Sequence, residues 1–153
     1  MPISAQELGV EDSQWQQLPD VDHLKYYVLS LDENNKTVDV LLKMAANEKI
    51  FLHRHTAPNH MLVLSGEHRL YEPDGTLKEV RPTGRYTASP ADVEAHREGG
   101  GDEDTVILFS IRSGGGCCYE VLDDEQNITA TLGWEDFQGL WALQQQQDHQ
   151  VFS

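Results

Sequence analysis

The sequence predicts one all-β domain of the sandwich or barrel kind, followed by a short C-terminal helix. Runs rich in Val, Ile, Leu, Thr and Tyr, which are typical of strands, recur along the chain between turn signals at the spacing of such folds. The chain has 153 residues and 39% hydrophobic content, which suits one domain with a real core. Only the last segment changes to steps of three and four residues, the period of a helix.

The predicted organisation has three parts. Residues 1–20 form a polar lead-in, residues 21–132 form the β domain, and residues 133–153 form the helix and a frayed, Gln-rich tail. The lead-in has neither a basic start nor an apolar stretch, so we expect no secretory signal. No apolar run approaches the ~20 residues of a membrane span. We therefore expect a cytoplasmic protein that does not enter a membrane.

The strands are predicted from alternating side chains and from the turns between them. Alternation is clearest over 37–44, where four apolar side chains share one face. Residues 99–102 are predicted to form a mobile connection, and the aromatic stripe of the helix is expected to pack on the sheets. The predicted strands are 24–31, 37–44, 50–55, 60–64, 68–71, 77–80, 85–88, 105–112 and 117–122.

Charge and cysteine content narrow the classes of partner. Lys plus Arg is 11 and Asp plus Glu is 26, a net charge of −15. So acidic a surface repels phosphate backbones and anionic lipid, so we expect small-molecule partners and no nucleic acid or membrane partner. Cys117 and Cys118 are neighbours whose side chains point to opposite faces of a strand, so reduced thiols in the cytosol are expected.

Histidines are concentrated in the middle of the chain. His53 and His55 are two residues apart on a predicted strand, so both imidazoles face the same way with Cα atoms about 6–7 Å apart. His60 opens the next strand of the hairpin, and His96 follows Pro90 after two further hairpins. Imidazole nitrogens are ligands for Zn, Fe, Ni, Cu and Mn. The sequence therefore predicts one divalent metal per chain, bound by His53, His55 and His96, with His60 as a fourth ligand. We expect the other three histidines to be surface or hydrogen-bonded residues: His23, His68 and His149.

The spacing of these histidines resembles the cupin superfamily. Its first motif contains a glycine, His-x-His, a glutamate and a closing glycine, and its second contains a glycine, a proline and a histidine. The matching positions are Asn47, His53, His55, His60 and Gly66 for the first motif, and Gly84, Pro90 and His96 for the second. Asn47 and His60 stand where a glycine and a glutamate are usual. The resemblance implies a single-domain cupin, a jelly-roll-like β-barrel or sandwich.

Within the superfamily, the ends of the chain look like single-domain dioxygenases that cleave acetylacetone and dihydroxyacetophenone. Residues 15–19 resemble their lead-in, and residues 122–141 resemble the C-terminal segment of the acetylacetone-cleaving enzymes. The resemblance implies a mononuclear ferrous iron on His53, His55 and His96, with oxygen and an enolisable diketone or hydroxyketone as substrates. An all-imidazole site would leave both charges of the ion uncompensated and attract an anionic chelate. The candidate substrate-pocket residues are Phe51, Leu62, Glu94, Phe109 and Arg112.

Three alternatives to a dioxygenase are open at this point. The chain also resembles the zinc-binding cupin domain of anti-sigma factors, which predicts a sensing or regulatory module with tightly bound zinc. A second alternative is an isomerase, lyase or hydrolase that uses the metal as a Lewis acid without oxygen. A third is a scaffold without metal. We expect a homodimer, because an exposed strand edge is often covered by a partner subunit.

Overall fold

The computed structural model describes the backbone of residues 2–91 and 94–152, and the side chains through residue 148. Two short 3-10 turns, Gln6–Leu8 and Asp12–Gln14, lie in the lead-in. The strands are β1 (Leu24–Asp32), β2 (Thr37–Met44), β3 (His53–His55), β4 (Asn59–Ser65), β5 (Glu67–Tyr71), β6 (Leu77–Pro82), β7 (Tyr86–Ser89), β8 (Arg97–Gly100), β9 (Thr105–Arg112), β10 (Cys117–Leu122) and β11 (Ile128–Gly133), and the helix α1 spans Trp134–Phe152.

The strands form three antiparallel sheets with the orders β1-β2-β9-β4-β7, β11-β10-β3 and β6-β5-β8. The longest pairing joins β2 to β9 without a register shift, from Thr37 opposite Arg112 to Met44 opposite Thr105. These sheets face each other across a shared core as an open sandwich. The predicted all-β class with a C-terminal helix is confirmed.

The central strands of the five-stranded sheet are covered by apolar side chains on both faces. On the inner face, Val28, Val40 and Phe109 pack with side chains of β10 and α1 in the main core. On the outer face, Leu41 and its neighbours are covered by apolar side chains of the lead-in, among them Val10. Side chains on both faces of β2 are therefore buried, because apolar residues of the lead-in cover the outer face.

Strand β8 lies where a mobile connection was predicted, and that prediction is wrong. Its glycines are buried because another backbone crosses them at close range. A Cβ placed on Gly99 would lie 1.9 Å from the carbonyl oxygen of Glu48, and the Ile50 amide donates to the Glu98 carbonyl at 2.8 Å. The glycines therefore serve close packing of two chain segments.

Helix α1 is longer than its apolar pattern suggested. Trp134 and Phe137 are buried in the main core, as the predicted aromatic stripe requires. The helix continues through the Gln-rich segment that was expected to be frayed, because Gln144 is 1% exposed and its amide bonds both backbone groups of Val28 at 3.0 and 2.7 Å. Among the described residues, no helix combines the length and apolarity needed to cross a membrane.

Candidate metal centre

Four buried side chains converge inside the sandwich. His53 and His55 come from β3, His96 precedes β8 and Glu98 lies within β8. One potential ligand atom from each of the four lies within 4.8 Å of the other three. Strand geometry explains the convergence. His53 and His55, like His96 and Glu98, are two residues apart and share a face. The two segments meet through paired backbone hydrogen bonds of 3.0 and 2.9 Å between His53 and His96.

The Glu98 carboxylate lies at the middle of this cluster. Its Oε2 is 2.8 Å from His53 Nε2, 3.6 Å from His55 Nε2 and 3.8 Å from His96 Nε2. Its other oxygen, Oε1, accepts a hydrogen bond of 2.8 Å from Nε2 of the fully buried His68. His68 therefore holds one carboxylate oxygen and leaves the other facing the three histidines.

The hydrogen bonds of His53 indicate that a cation belongs in this cluster. Its Nδ1 is 2.9 Å from the Phe51 carbonyl oxygen, to which it can only donate. In a neutral ring, Nε2 then carries a lone pair, and that lone pair faces Glu98 Oε2, which lies 2.8 Å away. Two acceptor atoms at such a distance repel one another unless a proton or a metal ion lies between them. The donor set fits a divalent transition metal.

Protonation states in the cluster suit metal binding. Burial lowers the pKa of His55 to about 4, against a smaller opposing effect of the Glu98 charge, so its imidazole is neutral at pH 7. For Glu98, burial alone would raise the pKa of the carboxyl, but its contacts with the imidazoles of His53, His55, His68 and His96 together outweigh this effect and hold the pKa well below its usual range. A neutral imidazole and an ionised carboxylate are the forms that bind metals.

His60 does not belong to this cluster, and its predicted role as a ligand is corrected. It lies on β4 between the inward-facing, buried Asn59 and Met61, so its own side chain points to the other face. Its Nδ1 is hydrogen-bonded to the Tyr86 hydroxyl on the neighbouring strand β7.

The fourth donor that sequence reasoning missed is Glu98. The available signal was His96-Arg97-Glu98, a second pair of potential ligands two residues apart. Its presence corrects the expectation of an all-imidazole site, because the carboxylate cancels one of the two charges of a bound dication.

An apolar cavity of about 310 Å³ opens onto one side of the cluster, at His53 and Glu98. Its walls include Leu132 of β11 and Leu140 of α1. Tyr119 is 9% exposed, and its ring stands edge-on to the His55 ring at 5.0 Å between centroids. Burial and the nearby Glu98 charge raise the pKa of this phenol well above its usual value, so the hydroxyl keeps its proton. Among the described residues this hydroxyl has no hydrogen-bond partner.

A second, smaller cavity of about 40 Å³ borders the cluster at His55, His96 and Glu98. Arg81 is a cationic wall residue of this cavity and is itself buried. The guanidinium bonds Glu79 at 2.8 Å and contacts the Met61 sulfur at 3.6 Å.

The five predicted pocket residues lie in different parts of the structure. Phe51 lines the larger cavity, and Phe109 stacks on His55 with ring centroids 6.2 Å apart. Leu62 packs in the outer core cluster. Glu94 is exposed and lies 3.6 Å from Lys78, and Arg112 is exposed at the end of β9. Only Phe51 and Phe109 are therefore near the candidate centre.

Similar solved structures share the fold at low sequence identity. An acetylacetone dioxygenase from Acinetobacter johnsonii is 15% identical, with 88% of this chain and 89% of that chain covered and a TM-score of 0.61. A cupin-like protein of unknown function from Ralstonia eutropha is 17% identical over 97% and 91%, with a TM-score of 0.69. An RmlC-like cupin from the same organism is 19% identical over 84% and 78%, with a TM-score of 0.68. At these identities the likeness shows the fold alone.

The sequence finds no match among curated proteins. It does match a family described as the ChrR cupin-like domain, over residues 5–113, which is more than two-thirds of the chain. The cupin resemblance drawn from the histidine motifs is thereby confirmed, and so is the kinship with the anti-sigma factor cupin. This chain belongs to the family of ChrR cupin-like domains.

Proposed function

We propose that the protein is a mononuclear metal-dependent dioxygenase that cleaves a carbon–carbon bond in an enolisable diketone or hydroxyketone. The observation that carries the proposal is the apolar cavity of about 310 Å³ that opens directly onto a buried three-histidine, one-carboxylate donor set. In such a reaction one carbon–carbon bond breaks and both atoms of oxygen enter the products, so no external reductant is required.

The residues that would hold the metal are His53, His55, His96 and Glu98. Ferrous iron in this position would supply Lewis acidity toward a ketone oxygen and redox chemistry with oxygen. His68 would keep the Glu98 carboxylate turned toward the ion, since it bonds the opposite carboxylate oxygen at 2.8 Å.

Charge supports an anionic substrate. A bound dication together with the ionised Glu98 would leave one positive charge beside a cavity with almost wholly apolar walls. An uncompensated charge in such surroundings is costly, and an enolate carries the single negative charge that would cancel it. A dianion or a cation would leave the buried site charged again.

Cavity size supports a substrate with an apolar substituent. Since one water occupies about 30 Å³ in the liquid, a volume of about 310 Å³ suits a molecule of about ten non-hydrogen atoms. The oxygen-bearing end would lie at Glu98 and near the unpartnered Tyr119 hydroxyl. The apolar end would lie against the leucines of β11 and α1 and exclude water from the centre.

A zinc-binding sensing module is the second candidate, because the family match is to ChrR cupin-like domains. Four donors complete a tetrahedral zinc site but leave two positions open on a six-coordinate ion. Coordination number therefore separates the two functions.

The test starts with untagged protein whose native metal is measured, and which is then stripped and reloaded with ferrous iron or zinc. We expect the ferrous protein to consume one oxygen per molecule cleaved with at least one member of a diketone and hydroxyketone panel, and the zinc protein to consume none. His60→Gln is the matched control and should retain activity, because His60 lies outside the cluster. Ferrous protein inactive with the whole panel, together with native zinc in a closed four-ligand site, would support sensing instead.

A further inference from the structure

Asn59 is a buried polar residue beside a candidate metal ligand. It is the first residue of β4 and is 0% exposed. Its side-chain nitrogen Nδ2 is 2.7 Å from His55 Nδ1 and 3.0 Å from the Ala57 carbonyl oxygen. Its oxygen Oδ1 is buried and has no hydrogen-bond partner among the described residues.

In this orientation the Asn59 amide favours the tautomer of His55 that cannot bind a metal through Nε2. An amide nitrogen only donates, so it requires a lone pair on His55 Nδ1, and the proton of a neutral ring must then be on Nε2. A histidine that binds a metal through Nε2 has its proton on Nδ1 and must donate it to an acceptor. The amide as placed therefore disfavours the tautomer in which His55 is a ligand.

A half-turn of the amide about its terminal torsion reverses the match. Oδ1 then faces His55 Nδ1 and accepts its proton, while the bond to the Ala57 carbonyl is lost and two acceptor oxygens face each other. The observed orientation is therefore the favoured one in the absence of metal, and metal binding to the tautomer with its proton on Nδ1 would supply the free energy for the turn. His53 offers the contrast: its Nδ1 faces the Phe51 carbonyl, a backbone acceptor that permits only the ligand tautomer.

We propose that Asn59 is a positioning residue whose side-chain amide selects the tautomer of His55 and turns over when a metal binds. The proposal rests on the metal-binding part of the proposed function and not on oxygen chemistry. The backbone then fixes the ligand tautomer of His53 before a metal binds. The tautomer of His55 depends instead on the orientation of a side-chain amide that can turn.

The test compares Asn59→Leu and Asn59→Asp with the wild type for zinc affinity, measured by competition with a chelator. Leu is similar in size and cannot hydrogen-bond, so we expect affinity to fall about 10–100-fold. The Asp carboxylate only accepts, so N59D should bind zinc at least as tightly as the wild type. If Asn59 had a purely structural role, N59D would bind zinc more weakly than the wild type, because the Asp side chain adds a buried charge.

Nitrogen NMR of the imidazoles gives a second readout that does not depend on activity. In zinc-loaded protein we expect the His55 proton on Nδ1 and a shift of the Asn59 side-chain amide signals relative to metal-free protein. Equal zinc affinities for wild type and N59L, or Asn59 amide signals unchanged by zinc, would overturn this proposal alone. Wild-type protein that binds no metal would overturn the proposed function with it.

Discussion

The two sides of Glu98 differ in size and in chemistry. On one side the carboxylate borders an apolar cavity of about 310 Å³, and on the other a cavity of about 40 Å³ whose wall includes Arg81. The first has room for about ten non-hydrogen atoms and the second for one or two, on a basis of about 30 Å³ each. On the proposed function, an organic molecule would approach the donor set from the first side and a small polar or anionic species from the second.

The comparison teaches that the donor set does not determine selectivity. Both cavities border Glu98, yet apart from β3 and β8 their walls come from different parts of the chain: the larger from the lead-in, β1, β2, β10, β11 and α1, and the smaller from β4 to β7. Substitutions on one side should therefore change one class of ligand and leave the other class and the metal unaffected.

The largest expected effect is that of Glu98→Gln, which acts on both sides at once. The change keeps the shape of the side chain but removes the charge and a strong metal donor. We expect metal affinity to fall about 100-fold or more. Competition against a chelator measures it, and an affinity within about threefold of the wild type would show that Glu98 is not a ligand.

Next in size is the effect of filling the larger cavity with Val121→Phe. Val121 lines that cavity and lies opposite His53 in the β10–β3 pairing. A phenyl ring there should occupy the space beside the centre, so we expect the affinity of metal-loaded protein for 1-phenylbutane-1,3-dione to fall about tenfold or more. Buried apolar contact of this size has that order of energy.

Metal affinity is the control for Val121→Phe and should stay within about threefold. A loss of metal binding in this variant would mean that the cavity wall and the donor set are not independent.

The smallest effect is expected on the polar side, from Arg81→Met. Methionine keeps much of the apolar bulk but removes the positive charge, and the partner Glu79 is exposed enough to be solvated without it. We expect the affinity of metal-loaded protein for azide to fall about 3–10-fold, because one nearby charge contributes about a kcal/mol in such surroundings. Unchanged azide binding would remove the distinction between the two sides.

Sequence reasoning succeeded where the chemistry follows from the alternation of a single strand. His53 and His55 converge as predicted, and Asn47 adopts the left-handed backbone (φ 59°) that the motif's glycine position requires. His60 was misplaced because its direction depends on the length of the β3–β4 turn, and a change of one residue exchanges the faces of the next strand.

Strands β8 and β11 were missed for a different reason. Arg97–Gly100 contains two glycines that are buried by backbone distant in sequence, Gly99 by Glu48 and Gly100 by Met44 and Ala45. Ile128–Gly133 is an edge strand with mostly exposed side chains, so no alternation of apolar residues marks it. Glu98 was missed together with β8, since its role depends on that segment being a strand.

The bond between Gln144 and Val28 has a consequence for self-association. Strand β1 lies at the edge of the five-stranded sheet, and its outward backbone groups are already used at two neighbouring positions: Tyr26 bonds Gln16 of the lead-in, and Val28 bonds the Gln144 amide. The Gln144 amide bonds the Val28 N–H and C=O as the backbone of a neighbouring strand would, so no further strand can pair with β1 at that point. A second copy of the chain could extend this sheet through β1 only by displacing both segments, so this margin is closed to strand-by-strand growth.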